Sequence, residues 1–419
     1  MTEWIGAAEA AERLGIKPAS LYAYVSRGVL ARRQEPGGRG SRYDAAEIAA
    51  LARKGRPRRS SPGAELVIET AVTEIAGGVL RYRGRDVMEL AVSRSFEEVA
   101  LLLWGGDPDA EPGGWQAPAA ALAVGRGAQA ALPPRLLPLE RLQVIVPALA
   151  ATDPLRLQLD PPAVIAAGRT LIAGMVDCLP PAGAGPDQAP APDGPAAGPA
   201  AGAGSVAARL TRALSPAGPP AGPPAGLDRL VQTALVLLAD HELAASTLAA
   251  RVAASVRADP YAVVATGLGA VGGALHGGAS LAAETLLSLA ASAADVPRVV
   301  GDLLRRGEQL TGFGHFAYPA GDPRSVLLME KIEEYAPGSP RLAVAAAVIA
   351  EVRRRALPEP NVDFALAVLT SVAGLAPGAG EAIFAVARAA GWIAHALEEY
   401  ARHAPIRPRG VYTGPAGPL

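Results

Sequence analysis

The sequence predicts a mainly α-helical protein, a large body preceded by a small basic module, from three observations. Half of the 419 residues are hydrophobic yet only 4% are aromatic. A core built from Ala, Leu and Val favours packed helices over a β-sandwich, which draws on β-branched and aromatic side chains. Apolar residues also recur at helical spacing over long segments, whereas strand-like alternation is confined to short pieces at Leu66 to Val72 and Gly78 to Tyr82. Finally, residues 1–60 carry 12 Lys/Arg against 6 Asp/Glu, a charge of +6, leaving 27 against 34, or −7, for the remainder. The two parts therefore face different electrostatic partners.

The spacing in residues 1–54 predicts helices over Thr2 to Gly15, Pro18 to Arg27 and Asp44 to Lys54, with a Gly/Arg-rich turn, GVLARRQEPGGRGSRY, long enough for a small wing. AAEAAERLGIKPASLYAYVSRGVL followed by GRGSRYD resembles the MerR-type winged helix-turn-helix. That resemblance implies a second helix entering a DNA major groove and presenting Lys17, Ser20, Tyr22, Tyr24 and Arg27. A docking module that kept the fold without the DNA fits the same residues. Residues 55–61 form a basic linker.

Beyond it, helices are expected over Ser95 to Trp104, Leu227 to Ala239, Ala244 to Val256, Tyr261 to Val271, Leu281 to Ala291, Ala343 to Arg355, Phe364 to Val372 and Glu381 to Tyr400. The stretch 180–226 is dominated by Ala, Pro and Gly and reads as disordered surface insertions tethering one short helix, Ser205 to Leu214. The single cysteine, Cys178, rules out an intrachain disulfide framework and fits a reducing cytoplasm. Trp4 to Arg13 is charged and amphipathic, unlike a secretory signal. Pro260 to Ala283 has no charged residue, but six glycines and His276 argue for a buried helix and a turn, not a membrane span.

Three of the five histidines sit in short Gly- or Ser-flanked motifs: His241 in DHELAAST, His276 in GGALHGGAS and His315 in LTGFGHFAYPAGDPR, with NVDF following at 361–364. Glycine-rich turns bring backbone close to a ligand, so imidazoles placed there suit chemistry. The remaining two, His395 and His403, lie outside these motifs. Asp363 ahead of an apolar helix could serve as an N-cap as well as a base. The short ligand spacing of a zinc site is absent.

From about Pro62 onward these motifs, together with GGVLRYRGRDVMELAVSRSFEEVALLLWGG, FAVARAAGWIAH and IRPRGVYTG, resemble citrate synthase, in the variety preceded by a helix-turn-helix. Six of them in the family's order over about 170 residues carry the resemblance. It implies an all-helical large domain at 62–276 and 381–419, a small domain at 277–380, and a homodimer or higher oligomer with shared sites. It implies condensation of acetyl-CoA with oxaloacetate and water to citrate and CoA, with no cofactor or metal. A 2-methylcitrate-type synthase using propionyl-CoA and a DNA-binding regulator with a metabolite-sensing body are the alternatives.

By the same resemblance, Asp363 is the base, His276 polarises the thioester oxygen and His315 activates the ketone. Arg324, Arg388 and Arg407, the last from the partner subunit, clamp carboxylates, His241 contacts the 2-oxo acid and Phe384 lies near the acyl group. Gln309, Leu310, Thr311, Gly312, Phe313 and Gly314 form the loop that reads CoA. The chain departs from the family at Ala244, often Asn, and at Phe316, often Arg. The first bears on the oxo acid and the second on CoA.

Overall fold

The computed structural model describes residues 4–14, 30, 32–34, 41–45, 47–48, 67–106, 113–182, 204–216, 224–402, 404–410 and 412–414, mostly helical, in two compact units, 1–69 and 70–419. In the first unit, Trp4–Gly6 (β1) precedes the helix Ala7–Leu14 (α1), and Arg32–Gln34 (β2) and Ser41–Asp44 (β3) form the expected wing, in the sheet order β1-β3-β2. Residues 4–6 were expected in the first helix and are strand instead. The cause is tertiary: Ile5 lies opposite Tyr43 in the antiparallel register, and both are buried in a small core with Ala10, Ala11 and Ile48. Lys17, Ser20, Tyr22, Tyr24, Arg27 and the basic linker lie outside the described residues.

The second unit begins with a three-stranded antiparallel meander, Thr73–Ala76 (β4), Val79–Tyr82 (β5) and Arg85–Asp86 (β6). Leu66 to Val72, expected as a strand, is not one in its described part; pairing starts at Thr73, opposite Tyr82. Helices follow: Val87–Ser93 (α2), Phe96–Leu103 (α3), Ala119–Gly127 (α4), Pro138–Ala150 (α5), Pro161–Asp177 (α6), Val206–Leu214 (α7), Leu227–Leu238 (α8), Ala245–Ser255 (α9) and Pro260–Val271 (α10). Gly278–Ser288 (α11), Val296–Arg305 (α12), Pro323–Tyr335 (α13), Pro340–Arg354 (α14), Val362–Ala373 (α15) and Ala379–Arg402 (α16) complete it. Their starts are written in polar residues. Asp86, Ser95 with Glu98, Asp160 and Asp259 each accept backbone N–H groups at a helix N-terminus.

The expected tether Ser205 to Leu214 is a correction. Helix α7 forms, with Ser205 as its cap, but Val206, Leu210 and Leu214 are buried in the main core and Arg209 pairs with Asp177 at 2.6 Å. Its apolar stripe needed a partner, and α8 and α6 supply it. The flanking Ala/Pro/Gly segments lie outside the described residues.

Helix α16 organises the unit. From Ala379 to Ala396 every residue is buried, and the helix packs against α3, α5, α6, α8, α9, α10, α11 and α15. A helix buried on all sides belongs at the centre of a large core. Two glycines allow the close approach. A Cβ at Gly267 of α10 would stand 2.5 Å from the Trp392 ring, and one at Gly391 would stand 2.3 Å from Asp240 Oδ1 and 2.5 Å from the Ala239 carbonyl. Gly391→Ala should therefore cost roughly 1–3 kcal/mol, because backbone and a fixed carboxylate must give way. A thermal melt superimposable on the wild type would refute this packing. Among the described residues no single helix is long and apolar enough to cross a membrane.

Candidate active site

The four sequence motifs converge where the end of α8, the α10–α11 turn, the loop before α13 and the starts of α9 and α15 meet α16. Tyr82 sets the end of α8: its hydroxyl donates toward the carbonyls of Asp240 (2.9 Å) and Val236 (3.2 Å) and accepts the Asp240 N–H. His241, the next residue, is buried, with Nε2 3.0 Å from the Tyr318 hydroxyl and its ring edge-on to His315 at 5.0 Å between centroids. Tyr318 also lies beneath the Arg324 guanidinium, 5.4 Å from ring centre to Cζ.

His315 is carried by a loop with two left-handed glycines, Gly312 (φ +89°) and Gly314 (φ +77°). The loop is pinned to the strand-like segment before α15: Gly314 N–H donates to the Glu359 carbonyl, Asn361 N–H to the Gly312 carbonyl and Asn361 Nδ2 to the Gly314 carbonyl. Phe313 packs on Phe364 at 4.8 Å. Asn361 Oδ1 also accepts the N–H groups of Asp363 and Phe364, so Asn361 is the cap of α15 and the Asp363 carboxylate is not. That removes the capping role as an account of Asp363. Its Oδ1 is buried with no hydrogen-bond partner among the described residues. Burial pushes the carboxyl up to about 7, the charge of Asp322 adds to this, and Arg324 and Arg388 pull it down.

His276 follows the glycine turn after α10, with Nε2 2.8 Å from Ser246 Oγ. The indole of Trp392 donates to the same oxygen at 3.3 Å. Ser246 Oγ can accept from the indole and donate its own proton to Nε2, and in that arrangement the His276 proton sits on Nδ1. In His315 the Ala317 N–H donates to Nδ1 at 3.1 Å, so the proton is on Nε2. Burial first, then nearby arginines, push His276 and His315 down to about 4 and His241 well below its ordinary value. All three are neutral at pH 7 and can donate a single hydrogen bond each.

The two buried arginines of the site, Arg324 and Arg388, are held differently. Arg324 is gripped by Asp322, Nε to Oδ1 at 3.0 Å and Nη2 to Oδ2 at 2.8 Å, and Asp322 also accepts the Val362 N–H, joining α13 to α15. Arg388 donates Nε to the Leu238 carbonyl at 2.8 Å, lies over Phe384 at 4.6 Å, and leaves Nη1 buried without a partner among the described residues. Phe384 in turn meets the His276 ring edge-on at 5.5 Å. A buried guanidinium with an unmatched N–H is arranged to receive an anion.

The structure thus brings together His241, His276, His315, Arg324, Asp363, Phe384 and Arg388. It does not bring Arg407 to the site of its own chain. Arg407 is exposed, and Ile406 beside it is anchored through its N–H to Ser255 Oγ at the far end of α9, roughly 14 Å by helix rise from Ser246. Sequence reading missed Asp322, Tyr318, Ser246 and Trp392, all inside or next to the motifs already quoted; polar or aromatic residues at fixed offsets from each histidine were the available signal. A cavity of about 220 Å³ opens beside His315, lined by Gly314, Tyr318, Asp322, Pro358 and Glu359. A larger one, about 610 Å³, lies between α13 and α14 and touches none of the three histidines. No group of three or more His, Cys, Asp or Glu among the described residues could hold a metal ion.

The family model for the citrate synthase C-terminal domain matches residues 64–409, and a helix-turn-helix domain model matches residues 4–56. The chain is 40% identical over 184 residues to putative citrate synthase 2 of Mycobacterium tuberculosis (42% of this chain, 49% of that protein). It is 40% identical over 185 residues to a citrate synthase of Haloferax volcanii, covering 43% and 49%. The chain spans about half the length of the curated relatives it matches. Among solved structures, citrate synthase from Thermotoga maritima is 26% identical with a TM-score of 0.64, over 85% of this chain and 96% of that one. Citrate synthase from Thermoplasma acidophilum, in a ternary complex with carboxymethyl coenzyme A and oxaloacetate, is 25% identical with a TM-score of 0.67, over 85% of this chain and 96% of that one.

Proposed function

The chain belongs to the citrate synthase family, and from that premise we propose that it condenses acetyl-CoA with oxaloacetate and water to give citrate and CoA. The observation that carries the reading is the buried Asp363 carboxyl, pushed up to about 7, with one oxygen unpartnered among the described residues and with two arginines and neutral histidines around it. An acetyl thioester is a weak carbon acid. Its methyl proton leaves only if a positioned base accepts it while a donor meets the growing negative charge on the thioester oxygen.

Asp363 is the base in this reading, and the Nδ1–H of His276, set by Ser246, is the donor to the enolate oxygen. The Nε2–H of His315 polarises the ketone that the enolate carbon attacks. Arg388, Arg324 and, from a partner subunit, Arg407 hold the carboxylates, with His241 beside the ketone and Phe384 against the acyl methyl. Residues 309–314 receive CoA, and the small domain, 277–380, closes over the large one. Water then cleaves the citryl thioester.

A thiol-release assay with acetyl-CoA and propionyl-CoA against a panel of 2-oxo acids tests this. Fastest release with acetyl-CoA and oxaloacetate is expected. A preference for propionyl-CoA would make it a 2-methylcitrate-type synthase, a difference of one methylene worth only ~1–3 kcal/mol. No thiol release with any pair would overturn the proposal. The helix-turn-helix match and the +6 charge of residues 1–60 favour a second, separable activity, DNA binding. A mobility shift that weakens steeply with added salt is its signature, since phosphate contacts release counterions.

A further inference from the structure

Below the histidine cluster lies a second set of buried polar side chains that take no part in the proposed chemistry. His395, on α16, is fully buried. Its Nδ1 accepts from Arg251 Nη1 at 2.6 Å, which fixes the ring proton on Nε2, and Nε2 faces Asp240 Oδ2 at 3.3 Å. The same Asp240 oxygen receives the Thr73 hydroxyl at 2.5 Å. Arg251, on α9 and fully buried, also donates Nε to Glu399 Oε1 and Nη1 to Glu398 Oε2, both at 2.7 Å, and Glu398 Oε1 accepts the Ala71 N–H. An arginine, an imidazole and a carboxylate thus run in series from α9 through α16 to the end of α8.

Each end of the series adjoins a group of the site. Asp240 immediately precedes His241, and Arg251 shares α9 with Ser246, which holds His276. His395 stands two turns beyond Arg388 and one turn beyond Trp392 on α16. Arg388 makes its own bond to the Leu238 carbonyl, so Arg388 and His395 tie α16 to the end of α8 at two points. The Asp240 charge also favours the ionised form of Arg388 against its burial. A buried polar chain of this kind rigidifies when every link is made and loosens when one is lost.

We propose that His395 is a positioning residue: bridging Arg251 to Asp240, it fixes His241 relative to the Arg388 guanidinium and so sets the affinity of the site for a 2-oxo dicarboxylate. The inference rests on the reading of the site as a 2-oxo acid site. His395 touches no substrate; it acts through its neighbours. Loss of the imidazole leaves Arg251 two glutamates and Asp240 one hydroxyl, so the links fail without stripping either charge of every partner.

His395→Leu and His395→Gln are compared for KM of each substrate, and for oxaloacetate binding to the free enzyme by calorimetry. The leucine breaks the bridge; the glutamine can donate to Asp240 and accept from Arg251. Leu should weaken oxaloacetate about tenfold or more with acetyl-CoA KM unchanged within about twofold, and Gln should restore most of the loss. Equal impairment by Leu and Gln, equal shifts for both substrates, or no shift at all overturns the proposal. Where the leucine variant does not fold, Thr73→Val, which removes the other bond to the same oxygen, must raise the oxaloacetate KM selectively; an unchanged KM overturns it. A wild-type chain that turns over no 2-oxo acid refutes the reading of the site, and the inference with it.

Discussion

Replacing Asp363 by asparagine is expected to cut turnover by about a hundredfold to ten-thousandfold, the span typical of a positioned general base, and to raise the melting temperature. Both effects have one cause. The amide keeps the shape of the carboxylate but cannot accept the methyl proton, so oxaloacetate should bind nearly as before while the enolate does not form. The carboxylate is also costly to bury: its value stands at about 7 against 3.8 for a free aspartate. A carboxyl raised in the folded state binds more protons folded than unfolded between those values, so stability falls as pH rises through that window and the full cost is present above about pH 7. The ceiling on that cost is roughly 4 kcal/mol.

Against it stands the favourable dipole at the first turn of α15, ~0.3–1 kcal/mol for an acidic residue. The burial cost wins, so Asp363→Asn should melt higher than wild type at pH 8 and by a smaller margin at pH 5. The wild-type kcat/KM should fall with one proton as pH drops below about 7, because the base is then protonated. Turnover within tenfold of the wild type, or a lower melting temperature at pH 8, would exclude Asp363 as a base under strain.

The candidate residues of the site were legible because they lie in short motifs, and the side chains that support them were less so because they come from afar. His241, His276, His315 and Asp363 were each marked by their local setting. The positions of α8, α10 and α15 followed from apolar spacing, and their ends shifted by one or two residues, the starts of α10 and α15 being decided by the caps Asp259 and Asn361. Helices α2, α4, α5, α6, α12 and α13 were not anticipated; α5, α6, α12 and α13 each carry a proline in the first turn, and α5 carries a second, Pro147, in its interior. The strand at Trp4–Gly6 depends on a partner at 41–44, and burial of α7 depends on α6 and α8. His395 closes the FAVARAAGWIAH motif but was given no role there; its partners Arg251 and Asp240 are 144 and 155 positions away. Periodicity cannot report pairs at that separation.

Arg407 lies outside the cluster of its own chain, and the proposed site takes it from a partner. Its exposure, and the anchoring of Ile406 at the distal end of α9, leave it out of the cluster formed by His276, His315 and Asp363. If the third carboxylate clamp comes from a partner, Arg407→Ala and Asp363→Asn should each be nearly inactive as homodimers. In a mixed dimer the Arg407→Ala chain supplies an intact Asp363 but receives its arginine from the other chain, which is intact there; the opposite site carries both lesions. Each heterodimer then holds one whole site, about half of wild-type activity, and equal mixing with random exchange gives about a quarter overall. An arginine acting within its own chain leaves one lesion in every site, so mixing restores nothing. Activity that stays at the level of the separate variants, with subunit exchange verified by differently tagged chains, would place Arg407 outside the shared site.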